Sequence, residues 1–198
     1  MCRREGVKLF LKSTRCDTPK CAIEKRDQPP GMHVVKRRKI SDYGSRLREK
    51  QKVKRYYGVY ERQFRKYMDM ASSSKGNTAD TLMSLLERRL DNIVHRLGFA
   101  GSRRQARQFV NHGHIRVNGR RVDIPSYLVR ASDIITVKPR PKSIQFVQNN
   151  LEEFRGNVPE FLNLSRGDSP EGRVLRLPVI GDVSIPVQPT LIVELLSR

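Results

Sequence analysis

The sequence predicts an α+β protein, helical in its first part, with short helices packed on an antiparallel sheet after it. Two observations carry this. Apolar residues recur at helical spacing in successive segments between residues 41 and 111, the mark of amphipathic helices. The period then drops to two in "HIRVNGRRVDI" (114–124), where Asn118-Gly119 stands in turn positions that need positive φ.

Residues 1–40 show no such pattern. They contain Pro29-Pro30-Gly31 and then four consecutive basic residues, Lys36, Arg37, Arg38 and Lys39. This segment has too little apolar surface to fold alone and is read as a basic arm ordered by its partner. "SDYGSRLREKQKVKRYYG" is a helix capped by Ser41 or Asp42 and stopped by Gly58. Its apolar stripe is thin, with Leu47, Gln51 and Lys54 or Arg55 along one side. A second helix sets Phe64, Tyr67, Met68 and Ala71 at the spacing of core residues. After the polar break "SSSKGN", Asn77 or Thr78 caps a helix over about 79–97. There Leu86, Leu90, Ile93, Val94 and Leu97 share one face; Arg88, Arg89, Asn92 and Arg96 share the other.

Ser102 caps a short helix that Gly113 ends. Ala106, Phe109 and Val110 face one way, and Arg103, Arg104, Arg107 and Asn111 lie on a neighbouring face. Residues 133–137 form a strand beyond the hairpin. "SIQFVQNNLEEF" is a capped helix with an apolar face of Ile144, Phe146, Val147, Leu151 and Phe154. The remaining stretch from Arg173 to Leu196 reads as strand-like pieces split by prolines. The domains are read as an arm (1–40), a helical domain (41–85) and a module domain (86–180) with its core at 86–138.

The chain has 198 residues and a formal net charge of +20. Residues 1–67 hold +14 and residues 88–142 hold +10, while 68–87 and 143–198 each hold −2. Two basic segments within patterned sequence point to a polyanionic partner. No apolar run approaches the ~18 residues that cross a bilayer, so a membrane partner is not expected. The first residues lack a signal-peptide pattern. An odd number of cysteines, three, then argues for a reducing compartment.

Arg103, Arg104, Arg107, Arg116, Arg120 and Arg121 converge if the short helix and the hairpin lie side by side. Planar guanidinium forks suit phosphate. His112 and His114 flank Gly113 and either contact a sugar or phosphate or serve as turn residues. In the helical part the candidates are Lys36, Arg37, Arg38, Lys39, Arg46, Arg48, Lys50, Lys52, Lys54 and Arg55. Tyr43 and Tyr56 are either stacking groups or packing residues. No cofactor glycine fingerprint, P-loop or catalytic triad stands out, so an enzyme is not expected. Asp91, the most tempting acid, is assigned to pairing with Arg88 or Arg96 on its own helix.

"LERRLDNIVHRLGFAGSRRQARQFVNHGHIRVNGRRVDIPSY" resembles the RNA-binding module of the S-four family, the fourth protein of the small ribosomal subunit. "CRREGVKLFLK", the "SDYG" and "YYGV" segments and the closing "LIVELLSR" extend the resemblance, in order and spacing, over essentially the whole chain. It implies a bacterial-type structural protein that binds a multi-helix junction in the 5′ domain of small-subunit rRNA and nucleates assembly. It implies contacts with the fifth small-subunit protein, which influence decoding accuracy, with other small-subunit proteins, and with mRNA on its way into the subunit. It implies a cytoplasmic bacterial ribosome rather than an organellar one, and no homo-oligomer. It also implies that the module is inserted into the helical domain, which the segment near 180–198 completes. The alternative is a free RNA-binding regulator of translation.

Many bacterial members of that family carry a four-cysteine zinc knuckle, Cys-x2-Cys followed by Cys-x4-Cys. Cys2, Cys16 and Cys21 match the second, third and fourth ligands. The first would fall ahead of Met1, so Met1 is expected to be an internal start or a trimmed beginning. Otherwise the site is three-thiolate, completed by His33, water or the terminal amine, or the thiols are vestigial. Zn²⁺ is the metal in question.

Overall fold

The computed structural model describes residues 1–31, 40–154, 156–167 and 169–197. Its helices are α1 (Cys2–Glu5), α2 (Ala22–Lys25), α3 (Asp42–Tyr57), α4 (Glu61–Ser72), α5 (Thr78–Glu87), α6 (Leu90–Arg96), α7 (Arg103–Asn111), α8 (Pro141–Glu153) and α9 (Pro189–Leu196). The strands are β1 (Ile115–Val117), β2 (Arg120–Arg121), β3 (Ile134–Val137), β4 (Leu162–Ser165) and β5 (Glu171–Val174). The chain divides into two compact units, residues 1–82 with 185–198, and residues 83–184. This is an α+β architecture, helical in the first unit and helix-on-sheet in the second.

In the first unit, Ser41 caps α3 through its Oγ, which accepts the Gly44 N–H at 3.2 Å. Gly58 stops the helix at φ 66°. The buried positions are Lys50, Val53, Tyr56 and Tyr57, not the expected Leu47 and Gln51, which are half-buried. The stripe is thin because the inward face of α3 is partly ionic. α4 buries Phe64, Tyr67, Met68 and Ala71 at the anticipated spacing. Asn77 Oδ1 accepts the Ala79 N–H at 2.9 Å and starts α5.

The C-terminal residues 189–196 are helical, where strand-like pieces were expected. Pro189 at the first turn sets φ and lacks only an N–H that the helix does not use. α9 packs along α3. Glu194 pairs with Arg46 at 2.9 Å, Glu49 accepts the Gln188 N–H at 3.1 Å, and Lys52 donates to the Pro186 carbonyl at 3.3 Å. The arm is more ordered than its composition implies. Leu9 is fully buried, and Glu5, its side chain removed from water, takes Arg48 and Arg55 on Oε1.

The second unit is built on a five-stranded sheet of order β2-β1-β3-β5-β4, every neighbour antiparallel. β4 had no counterpart among the strands expected from periodicity. Asn118 (φ 49°) and Gly119 (φ 78°) make the β1–β2 turn, as two positive φ values demand. Asn118 is also tied to β3: its Oδ1 accepts the Ile134 N–H and its Nδ2 donates to Asp133, each at 2.9 Å. Ile115, Val117, Ile135, Val137, Leu162 and Val174 join the core with Leu90, Ile93, Leu97, Phe109, Val110, Val147 and Phe161. β5 meets that core at Gly172, where a Cβ would collide with the Leu97 side chain.

The helix expected over 79–97 is two helices. Arg88 and Arg89 leave the helical path, Arg89 at φ −65° and ψ 136°. The peptide at 125–129 runs across the gap: Leu90 N–H donates to Tyr127 O at 2.9 Å, and Val129 N–H to Arg88 O at 3.0 Å. Those bonds satisfy the groups that a continuous helix would have paired with itself. α8 begins at Pro141, two residues before the expected start, without a side-chain cap.

Lys50 and Lys54 donate to the two oxygens of Glu61 at 2.6 and 2.9 Å. These bonds, that of Lys50 foremost, hold the Glu61 carboxyl at about 2, below its usual 4.5. A carboxylate lowered by folding contributes stability above its unfolded pKa and loses it as pH falls through the folded value. Glu61→Gln should therefore lower the melting temperature at pH 7. That deficit should shrink as pH falls from about 4.5 to about 2, followed by circular dichroism. A deficit independent of pH would assign Glu61 no ionic role.

Candidate nucleic-acid interface

α7 and the β1–β2 hairpin build the site in the second unit. Ser102 caps α7, accepting the Gln105 N–H at 3.3 Å. Ala106, Phe109 and Val110 fasten the helix to the core, and this fixes where the remaining side chains leave. Arg104 is exposed and Arg107 is 39% exposed. Gly113 (φ 69°) turns the chain from α7 into the hairpin. The Arg121 side chain crosses directly over it, its Nε where a Cβ would need to stand. The positive φ favours glycine there, and a Cβ would oblige the exposed Arg121 side chain to move aside.

Arg116 and Arg121 face each other across the β1–β2 pair. Like charges directly opposite on a sheet are destabilising. Arg121 has an exposed partner in Asp123 at 3.2 Å; Arg116 and the exposed Arg120 have no acidic partner among the described residues. With Arg116 and Arg120 uncompensated, the arrangement suits an anion lying across the hairpin.

The expected convergence of all six arginines is corrected at Arg103. It is 7% exposed and donates from Nε to Asn92 Oδ1 at 2.8 Å. It belongs to a buried polar network, not to the open face. In that network Asn92 also donates to Glu87 Oε2 at 2.7 Å, and Arg96 donates to both Glu87 oxygens, at 3.1 and 3.3 Å. Asp91 does not pair with Arg88 or Arg96. It takes Arg89 on both oxygens, at 3.1 and 2.7 Å, and meets Arg107 at 3.6 Å. Arg89 and Asn92, placed on an outward face by helical periodicity, are each 1% exposed. Burial pushes the Asp91 carboxyl up, and Arg89 opposes it.

His114 is a packing residue: its ring stacks on Phe109 with centroids 4.8 Å apart, and Nδ1 lies 3.0 Å from Ser143 Oγ. Burial pulls its pKa down, and His112, Lys138 and Arg140 add to the effect. His112 is exposed. Lys138 and Arg140 are cations that the sequence pattern did not single out. The basic run "KPRPK" at 138–142 was their signal.

In the first unit the candidates divide differently. Lys36, Arg37, Arg38 and Lys39, like His33, lie outside the described residues. The cations of α3 are not open: Arg46 is held by Glu194, Arg48 and Arg55 by Glu5, Lys50 and Lys54 by Glu61, and Lys52 by Glu49 at 2.5 Å. Lys50 is 7% exposed. Tyr56 is buried and packs edge-on against Tyr57, while Tyr43 stands exposed.

The family "Ribosomal protein S4/S9 N-terminal domain" matches residues 1–87, and the "S4 domain" family matches residues 88–135. The small ribosomal subunit protein uS4 of Thermoanaerobacter sp. (strain X514) is 53% identical over 198 residues, covering 100% of this chain and 95% of the relative. That of Thermus thermophilus is 54% identical over 200 residues, with the same coverage. The protein named uS4A of Alkaliphilus metalliredigens is 52% identical over 198 residues, again with 100% of this chain and 95% of the relative covered. The chain belongs to the uS4 family. The resemblance drawn from its motifs therefore holds along the whole chain, and membership places it among ribosomal proteins rather than enzymes.

The three cysteines expected in a zinc knuckle are not brought together as an ion-binding group among the described residues. Cys16 and Cys21 are buried and Cys2 is half-buried. Burial pushes the Cys16 thiol up, although its Sγ accepts the Lys12 N–H at 3.3 Å. Among the described residues no three His, Cys, Asp or Glu side chains are grouped to hold an ion.

Removing one member of a buried ion pair strands the other, at a cost of about 3–5 kcal/mol. Asp91→Ala should approach that loss in urea denaturation, because the buried Arg89 loses the carboxylate that it meets on both oxygens. Arg107→Ala should cost under about 1 kcal/mol, since a half-exposed partner at 3.6 Å adds little. Equal losses would show that the Arg89–Asp91 pair adds nothing beyond the Arg107 contact.

Proposed function

We propose that the chain is a structural component of the small ribosomal subunit in a bacterial cytoplasm and a primary binder of its rRNA. The observation that carries this is the cationic hairpin beside α7, its Arg116 and Arg120 without an acidic partner among the described residues, in a chain about half identical, end to end, to uS4 proteins. Structured RNA is recognised through backbone shape, phosphates and 2′-hydroxyls. Arg104, Arg107, Arg116, Arg120, Arg121 and His112 supply fork-shaped and point donors for such a backbone. Their supports, α7 and the hairpin, are locked from behind by the core and by the Glu87–Asn92–Arg103 network. A rigid support spares the entropy of ordering the donors on binding.

The finer reading follows from the family resemblance. The RNA site is a multi-helix junction in the 5′ domain, where several backbones meet and the negative potential is high. Binding there early would nucleate subunit assembly. The mildly acidic C-terminal third would serve packing and protein contacts. Its partners would include the fifth small-subunit protein, with an effect on decoding accuracy, and mRNA would pass nearby. In the first unit, Tyr43 and the arm's basic run at 36–39 remain candidates for RNA. Arg46, Arg48, Lys52, Lys54 and Arg55 could reach RNA only by leaving carboxylates that already hold them.

The test is a filter-binding titration against a transcript of the 5′ domain of small-subunit rRNA. Combined Arg104→Ala, Arg116→Ala and Arg120→Ala should leave the melting curve unchanged. Affinity should fall by several kcal/mol, at ~1.5–3 kcal/mol for each charge-assisted bond to phosphate. The slope of log K against log salt should become shallower by about 0.7–0.9 for each phosphate no longer neutralised. Unchanged affinity would refute the interface. Recovery of the protein only in ribosome-free fractions of a sedimented lysate would refute the ribosomal role in favour of a free regulator.

A further inference from the structure

We infer that the outward face of α4, with Tyr60 at its head, is a second RNA-backbone surface, separate from the α7–hairpin face. This rests on the reading that the chain binds structured rRNA and extends it to residues outside the RNA-binding candidates read from the sequence. Tyr60, Arg62, Gln63, Arg65, Lys66 and Asp69 line a shallow open depression. Arg62, Arg65, Lys66 and Asp69 follow one another at i, i+3, i+4 and i+7, so they share a helical face. The opposite face carries Phe64, Tyr67, Met68 and Ala71 into the core. The cationic face therefore cannot turn inward.

The charge on this face is unspent. Arg62 and Lys66 are exposed and have no acidic partner among the described residues. Arg65, its side chain 69% exposed, reaches Glu61 only at 3.7 Å. Glu61 already holds Lys50 at 2.6 Å and Lys54 at 2.9 Å. Glu5, Glu49, Glu61 and Glu194 thus pair with the cations of α3, while Arg62 and Lys66 of α4 have no acidic partner among the described residues. Asp69 is the one acid of the depression and bounds its far end. Tyr60, the residue before α4, is 77% exposed, a large aromatic ring left in water beside three cations. An aromatic face beside a basic groove suits an unstacked base and its phosphates. An acidic protein segment would use the cations but would give the ring no partner of its own.

The experiment uses the full chain and the 5′-domain transcript, with two variants. One combines Arg62→Ala, Arg65→Ala and Lys66→Ala; the other is the α7–hairpin triple variant. The α4 variant should keep the parent melting curve and bind the transcript at least about tenfold more weakly. Its log–log salt slope should be shallower by about 0.7–0.9 for each phosphate no longer neutralised. Ultraviolet cross-linking of the parent complex should place a nucleotide on the peptide containing Tyr60. If the α4 variant binds like the parent while the hairpin variant does not, this inference is overturned and the RNA-binding reading stands. If the α4 variant binds rRNA normally but fails to retain a neighbouring protein in the assembled subunit, the face belongs to an acidic protein and the inference is again overturned. If the parent itself does not bind the transcript, both readings fall.

Discussion

The Arg89 guanidinium is almost wholly removed from water, and a charge in that position is tolerable only with a partner that meets it fully. Asp91 meets it with both carboxylate oxygens, two residues further on. That grip requires the backbone to leave the helical path between them, because residues two apart on a helix do not face each other. The break between α5 and α6 follows, and so does the crossing of peptide 125–129 over the exposed N–H and C=O groups. The crossing segment leads into the loop that Asp133 ties together, through the Arg130 N–H at 2.7 Å and Asn118 at 2.9 Å. The position of the hairpin is therefore linked to one buried ion pair at the start of α6.

A neighbouring network has a related effect on α7. Glu87 holds Arg96 and Asn92, and Asn92 holds Arg103. Arg103 stands at the first position of α7, so this chain of bonds sets the helix's N-terminal end. Arg104, the next residue, leaves in another direction and stays in water. Two adjacent arginines thus differ in setting, one buried at the start of the helix and one exposed. The first unit repeats this partition between helices: α3 spends its cations on Glu5, Glu49, Glu61 and Glu194, and α4 keeps its own exposed. In a strongly basic protein the few acids decide which cations remain free to bind.

Much of the fold is legible in local chemistry. The caps at Ser41, Asn77 and Ser102, the stop at Gly58 and the Asn118-Gly119 hairpin are local features, and each formed where its chemistry placed it. α9 was misread because Pro186 and Pro189 look like strand punctuation, whereas Pro189 opens a helix. The α5–α6 break was misread because a regular apolar period continued through it. A local sign did exist: Asp91 and Asn92 are residues of a helix N-terminus, and Asp91 Oδ1 accepts the Asn92 N–H at 2.9 Å. β4 was missed because its four residues pair only with β5, a partner whose position no short window contains. The site was legible as a region but not residue by residue. Arg103 and Arg104 are indistinguishable by type, and so are Lys50 and Lys66.

By itself the sequence determined the α+β class, the family, the capped starts at Ser41, Asn77 and Ser102, the stop at Gly58, the hairpin turn and the two basic segments. All of these depend on residue order over a few positions, or on composition summed along a segment. Only the tertiary structure decided which cations are spent and which are open. An ion pair such as Arg55 with Glu5 or Arg46 with Glu194 joins residues far apart in the chain. Whether a lysine meets water or a carboxylate depends on what packs over it, and no periodicity records that.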